Sequence, residues 1–263
     1  MLKHFLRLKQ GYFILLMQTI IALFAYSFVP LFLNGKGYSF FFLVFLSTIV
    51  TAIAVLIIPL FQRFYLKKFL LLGFGCFMMM ALVFLFYQGS YSYYLYVLFQ
   101  GLTFVFFWIP INYLFFRTSR SETNATDSSF YMTIGVFLGI IIPPLGALVI
   151  KFGSYQWLFG LVLLFYLVPL FFVWKNVPEE VQEVHFGESV RSFKGLKSIT
   201  FCEGSLQFLG GVVIPVYTLL FIKAELSYAL FLSYVAIVGA IVGFTLSQHS
   251  DKSGSRRIYL FPL

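Results

Sequence analysis

The chain has 263 residues, of which 61% are hydrophobic and only 10% are charged, and its mean hydropathy is +0.95. Because soluble domains carry about 25% charged residues, this composition excludes a water-soluble globular protein. The two cysteines lie in apolar stretches and the three histidines are far apart in sequence, so we expect no disulfide framework, no metal site and no cofactor.

Eight stretches of the chain are long and apolar enough to cross a bilayer, which takes about 20 residues per helix. They lie at roughly 12–32, 38–60, 69–88, 92–116, 129–150, 155–175, 198–222 and 227–247. The strands of a membrane barrel would be about half as long and would alternate apolar with polar residues. The sequence therefore predicts an all-α, polytopic bundle of membrane helices.

Basic residues collect on one side of the predicted bundle. Loops taken alternately from the N-terminus hold fifteen of the 18 lysines and arginines, and the opposite loops hold only Lys36, Lys151 and Lys223. The positive-inside rule then places the N-terminus in the cytoplasm of a multi-pass plasma-membrane protein. Since these charges lie at the level of the lipid headgroups, we expect the bilayer to be their partner and expect no nucleic-acid partner.

A basic segment occurs twice, after the second and after the eighth predicted span. Lys252 follows Arg63 by 189 residues, and Arg256–Arg257 follow Lys67–Lys68 by the same interval. At an interval of 185 residues, the first and seventh spans share further matches, Gln18 with Glu203 and Pro30 with Pro215. These matches favour a duplicated bundle with parallel halves, an architecture found in transporters.

The longest polar stretch runs from Asn176 to Lys197 and separates six predicted spans from two. We interpret residues 1–176 as an N-terminal six-helix bundle and 177–197 as a cytoplasmic linker. Residues 198–263 are then a partial C-terminal bundle, with two spans and the start of a third.

Two motifs, taken in order, resemble those of the major facilitator superfamily along essentially the whole chain. That family's loop after the second and eighth spans reads roughly G-x-x-x-D-R-x-G-R-R/K. The later copy keeps Asp251, Lys252, Gly254, Arg256 and Arg257, whereas the first keeps Arg63, Lys67 and Lys68 but has Gln62 at the acid. The fifth span resembles the family's glycine-rich helix and supplies Gly135, Gly139, Pro143 and Gly146. Against that pattern the chain lacks the last four spans, and one expectation is that a second chain supplies them.

The resemblance implies secondary active or facilitative transport of a small solute by alternating access. It also implies that the basic segments form a cytoplasmic gate, with Asp251 bracing one state, and that the glycine stripe packs between moving halves. Small residues four apart let helices approach closely, so the same stripe also fits simple helix packing.

The resemblance places the solute pathway on the first, fourth and seventh spans. The polar or amphipathic candidates there are Gln18, Gln100, Trp108, Asn112 and Glu203. Glu203 is the sole acid inside a predicted span, which suggests a proton relay or a substrate contact unless it lies close enough to the surface to stay hydrated. Val97 stands where the family's fourth-span motif has an arginine, which argues against the proton-antiport mechanism associated with that motif.

Two other classes of function remain open from the sequence. A sensor or scaffold with a transporter-derived fold is compatible with the eroded first basic segment. An intramembrane enzyme would require His, Asp or Glu clustered at one membrane face, and the sequence has no such cluster. We therefore expect a protein that is not an enzyme.

Overall fold

The computed structural model describes residues 2–61, 63–86, 91–118, 124–183 and 197–253. Within these ranges seven helices are long and apolar enough to cross a membrane, which confirms an all-α polytopic bundle. The seventh predicted span, at 198–222, differs from the others because it is divided into shorter pieces and its apolar helical part is Gly204–Thr218. We number the spans 1 to 8 in chain order.

Three of the first four spans depart from regular α-helix. Span 1 comprises Leu2–Phe24, a 3₁₀ turn at Tyr26–Phe28, and Val29–Gly35; span 2 comprises Phe40–Ile57 and a 3₁₀ turn at Ile58–Leu60. Span 3 is Leu66–Phe86, and span 4 comprises Ser92–Thr103, a π-helical turn at Phe104–Trp108, and Ile109–Thr118. Spans 1 and 2 are joined by a tight turn at Gly37, whose φ of 92° a residue with a Cβ rarely adopts.

Among the last four spans, spans 5, 6 and 8 are continuous helices and span 7 is broken. Span 5 is Asn124–Phe152 and span 6 is Tyr155–Asn176. Span 7 comprises Lys197–Phe208, a π-helical turn at Leu209–Val213, and Ile214–Thr218, and span 8 is Glu225–Ser253. Ser39 and Ser154 start spans 2 and 6 as N-caps, since each side chain accepts a hydrogen bond from a backbone N–H three residues on.

The helix of span 8 extends further than the sequence indicated. We expected a polar loop to begin at Asp251, but the helix continues to Ser253, so Asp251 and Lys252 lie in its last turn. That expectation is wrong for these residues. A helix satisfies its backbone hydrogen bonds internally and needs no change of structure where it passes from lipid into water.

Spans 1 to 6 enclose an aromatic core. Span 3 packs against spans 4 and 6, span 1 packs against spans 5 and 6 and the end of span 4, and span 2 packs against span 4. Phe28, Phe74, Phe107, Phe159 and Tyr166 are fully buried there. Span 8 packs mainly along span 5, so the contact between these two helices joins the later spans to the first six.

The linker after span 6 is not separate from the bundle, because it pairs with the first basic segment. Strand β1 (Arg63–Tyr65) forms an antiparallel pair with strand β2 (Val181–Glu183), with Arg63 opposite Glu183. The N–H of Leu66 also donates to the carbonyl oxygen of Glu180 at 2.9 Å. The segment that the sequence suggested was a loop is thus a short strand followed at once by span 3.

Candidate functional site: a central cavity between the first six spans and spans 7 and 8

Polar contacts gather the basic segments on one face of the bundle. Arg63 forms an ion pair with Glu183 at 2.9 Å, and Arg117 forms one with Glu180. Gln10 Nε2 donates to the carbonyl oxygen of Asn176 at 3.1 Å, which joins the start of span 1 to the end of span 6. Four segments that the alternation of spans assigns to one side of the membrane therefore lie together. We call this the basic face.

The loops on the opposite face also converge. A pocket at this face is lined by residues of the loops after spans 1, 5 and 7, including Lys36, Ser154 and Lys223. The hydroxyl of Tyr155 at the start of span 6 donates to Oε1 of Glu225 at the start of span 8, at 3.5 Å. This contact connects the two parts of the chain at the end of the bundle that is remote from the basic face.

A central cavity of about 220 Å³ lies between these two ends, nearer the face opposite the basic segments. Spans 1, 2 and 4 line it on one side and spans 7 and 8 on the other. Most of its lining is apolar. Six polar or amphipathic side chains interrupt that lining, namely Tyr26, Ser27, Ser47, Tyr96, Gln100 and Tyr228.

Three of the spans depart from α-helix immediately before a proline. In span 4 the N–H of Ile109 donates to the carbonyl oxygen of Phe104, five residues back, and Pro110 follows. In span 7 the N–H of Ile214 donates to the carbonyl oxygen of Leu209, and Pro215 follows. A proline ring clashes with the carbonyl four residues earlier, and a wider turn relieves that clash. Such turns occur often at functional sites.

The third break is in span 1, where the 3₁₀ turn Tyr26–Phe28 is followed by Pro30. Pro30 and Pro215, which the sequence matched at an interval of 185 residues, both line the cavity. The break in span 1 and the π-helical turn of span 7 therefore border the same space from opposite sides.

Of the residues that the sequence suggested for a solute pathway, the cavity includes Gln100. Gln18 is only 2% exposed, but it lies eight residues before Tyr26, about 12 Å away at 1.5 Å per residue, and interacts with Tyr166 in span 6. Trp108 and Asn112 lie further along span 4, and the cavity lining includes neither of them. Glu203 is in the helix at the start of span 7, and its side chain lies outside the described residues.

The structure describes the side chains of the first basic segment but not those of the second. In the first copy Arg63 is engaged with Glu183, Lys67 is half-buried, and Lys68 Nζ lies 4.7 Å from the ring centre of Tyr65. In the second copy, Gly254, Arg256 and Arg257 lie outside the described residues, as do the side chains of Asp251 and Lys252. Their predicted role as a gate stays a prediction.

The small residues of span 5 contact two different partners. A Cβ added at Gly135 would lie 4.0 Å from Cγ2 of Thr19, and one at Gly146 would lie 2.2 Å from the carbonyl oxygen of Phe24, both in span 1. A Cβ at Gly139 would lie 3.1 Å from Cβ of Ala236 in span 8. Pro143, which lies between Gly139 and Gly146 on span 5, is buried. Span 5 is thus the helix that span 1 and span 8 share.

Sequence reasoning missed most of the polar lining of the cavity. Tyr26, Ser27, Ser47, Tyr96 and Tyr228 belong to no motif, and tyrosine and serine are common in apolar spans. A usable signal was present near Pro30 and Pro215, since proline inside a membrane span marks a position where the helix is interrupted and the backbone needs other partners.

A multi-pass helical bundle with a central cavity bordered by interrupted helices is the architecture of a membrane transporter. The family model described as Major Facilitator Superfamily matches residues 62–263, which is more than half of the chain. The chain therefore belongs to the Major Facilitator Superfamily, a family that transports solutes across membranes. No curated protein matched the chain.

Proposed function

We propose that the protein moves a small solute by secondary active or facilitative transport, with the central cavity open to one side of the membrane at a time. The observation that supports this most is the position of the cavity, which spans 1, 2 and 4 border on one side and spans 7 and 8 on the other. Motion of these groups about the cavity would change which end is closed. The charge distribution supports a plasma-membrane protein with a cytoplasmic N-terminus.

The interrupted helices supply places for that motion. Gly210 and Gly211 lie in the π-helical turn of span 7, and a Cβ added at either would meet nothing within 4 Å. Gly211 lines the cavity. A helix with a wide turn, two glycines and a following proline bends more readily than a regular helix, because fewer backbone hydrogen bonds and side-chain contacts oppose the change.

The contact between spans 5 and 8 is the proposed moving interface. These helices are antiparallel, so Asp251 in the last turn of span 8 and the N-terminus of span 5 at Asn124 lie on the same side of the membrane. The partial positive charge of a helix N-terminus favours a nearby carboxylate. We expect Asp251→Asn to lower transport while the amount of folded protein stays the same, and unchanged transport would contradict the proposed brace.

Access to the cavity from both sides of the membrane is the direct test. In a background of Cys76→Ser and Cys202→Ser, which removes both native thiols, Ser47→Cys places one thiol at the cavity. We expect a membrane-impermeant thiol reagent to label it when applied from either side of oriented proteoliposomes. Thr48→Cys is the matched control, because Thr48 is exposed on the outside of the bundle and would face lipid.

The same experiment separates transport from a sensor or scaffold role. One observation favours the latter, since the first basic segment has lost its acid and is instead paired with the linker. A cavity that serves such a role needs only one entrance. Labelling of Ser47→Cys from one side alone would therefore contradict alternating access and support the second function.

Glu203 is the proposed residue for coupling to protons, since an ionisable side chain in a membrane helix is costly and often functional. We expect Glu203→Gln to abolish the dependence of transport on an imposed pH gradient. If that dependence is unchanged, Glu203 is not the coupling residue.

A further inference from the structure

The polar side chains of the cavity include both hydrogen-bond acceptors and donors, since the Gln100 amide and the Tyr96 hydroxyl can donate. The hydroxyl of Ser27 donates to the carbonyl oxygen of Leu23 at 2.7 Å, and that of Ser47 donates to Leu43 at 3.2 Å. The hydroxyl of Tyr26 donates to the carbonyl oxygen of Phe77 at 2.5 Å. Each of these hydroxyl protons is committed to the backbone. The Tyr26 oxygen also interacts with Tyr166, so the oxygens of Ser27 and Ser47 are the two left to accept hydrogen bonds from a bound molecule.

Tyr228 in span 8 differs from these three residues, because its hydroxyl is buried without a partner. The residue is fully buried, its ring packs against Phe28 of span 1 with centroids 6.2 Å apart, and it lines the cavity. A buried hydroxyl that forms no hydrogen bond destabilises the protein unless something else satisfies it. A solute in the cavity is placed to do so, as a donor or as an acceptor.

The described lining carries no formal charge. Apart from the six polar or amphipathic side chains, it consists of aliphatic side chains, Pro30, Pro215 and Gly211. Moving an ion from water into such a lining is unfavourable without an opposite charge. The volume of about 220 Å³ lies below the roughly 300–1,000 Å³ of typical ligand pockets, so the occupant is small.

We infer that the cavity binds an uncharged amphipathic solute, with an apolar body and one or more hydroxyl or amide groups that form hydrogen bonds. The inference rests on the proposed transport function and assigns its substrate class. The apolar body fills the aliphatic part of the lining. Its polar groups reach the oxygens of Ser27 or Ser47 or the amide of Gln100, and one of them meets the hydroxyl of Tyr228.

Three probes with the same carbon skeleton test the charge. They are 4-hydroxyphenylethanol, which is neutral, 4-hydroxyphenylacetate, which is an anion, and 4-hydroxyphenylethylamine, which is a cation at pH 7. Binding to the full chain in lipid nanodiscs is measured by isothermal titration calorimetry, with empty nanodiscs as the blank. We expect the neutral probe to bind at least tenfold more tightly than either ion. Equal or tighter binding of an ion, or no binding of the neutral probe, would overturn the inference.

A pair of matched variants tests the position. Tyr228→Phe removes a buried, unpartnered hydroxyl from a residue that lines the cavity, whereas Tyr166→Phe removes a buried hydroxyl, close to Gln18, from a residue that does not line it. We expect Tyr228→Phe to weaken binding of the neutral probe about three- to tenfold and Tyr166→Phe to leave it unchanged. Each substitution deletes one oxygen atom and leaves the buried ring in place, so both variants should fold. Equal effects of the two substitutions would contradict binding in this cavity.

The outcomes also separate this inference from the proposed function. Two-sided labelling of Ser47→Cys together with a preference for an ionic probe would keep alternating access and reject the substrate class. One-sided labelling together with a preference for the neutral probe would reject alternating access and keep the ligand class.

Discussion

The packing of span 5 on span 1 makes Gly146→Ala the sharpest test of the fold. A Cβ at this position would lie 2.2 Å from the carbonyl oxygen of Phe24 and 2.8 Å from Cε2 of Phe28. Favourable contacts between heavy atoms lie at about 3.5–4.0 Å, so the two helices must separate by about 1 Å or more. The nearest atom belongs to the backbone and cannot rotate aside. Overpacking of this kind costs about 1–3 kcal/mol.

Gly135→Ala is the matched control on the same helix. Its Cβ would make an ordinary contact with Thr19 at 4.0 Å, and replacing glycine by alanine inside a helix gains about 0.5–1 kcal/mol. Because that gain is common to both substitutions, the two variants should differ by the overpacking cost of about 1–3 kcal/mol in the free energy of unfolding, measured by denaturant titration in mixed micelles. If Gly146→Ala is as stable as Gly135→Ala, the close approach of spans 1 and 5 is incorrect.

Three further predictions concern other contacts. Gly139→Ala should lower the melting temperature because its Cβ would lie 3.1 Å from that of Ala236, and adding Ala236→Gly should restore it; a failure to restore would contradict this contact. Reversing the ion pair with Arg117→Glu and Glu180→Arg together should recover the roughly 0.2–1 kcal/mol that either change alone loses, and additive losses in a double-mutant cycle would argue against the pair. Tyr26→Phe removes a hydrogen bond to span 3 and should cost about 1 kcal/mol in the free energy of unfolding, whereas a neutral result would mean that the bond does not stabilise the fold.

The parts of the fold that could be predicted from sequence are those that depend on local composition. The existence and order of the spans follow from the length of the apolar stretches. The gathering of basic segments on one face follows from their placement in alternate loops, and the contacts of Arg63 with Glu183 and of Gln10 with Asn176 agree with that alternation. The motifs at Asp251 and Gly135 also indicated the superfamily that the family match then showed.

The site could not be predicted in the same way. In a membrane protein both the lipid and the protein interior are apolar, so the hydropathy of a residue does not indicate which side of its helix is buried. Gln18 illustrates this, because a polar residue in span 1 was a reasonable pathway candidate, yet it packs toward Tyr166 rather than into the cavity. Tyr228 is the converse case, since nothing local distinguishes it from the tyrosines that face lipid.

By itself the sequence determined a bundle of membrane helices, its alternation across the bilayer and its family, because hydropathy, charge and motifs are properties of neighbouring residues. Tertiary structure alone decided that the linker pairs with the first basic segment, that spans 1 and 8 share span 5, and which hydroxyls line the cavity. These features depend on how far each helix is rotated and how closely it approaches its neighbours. Small residues and prolines permit such arrangements, but the packing of the whole bundle selects among them.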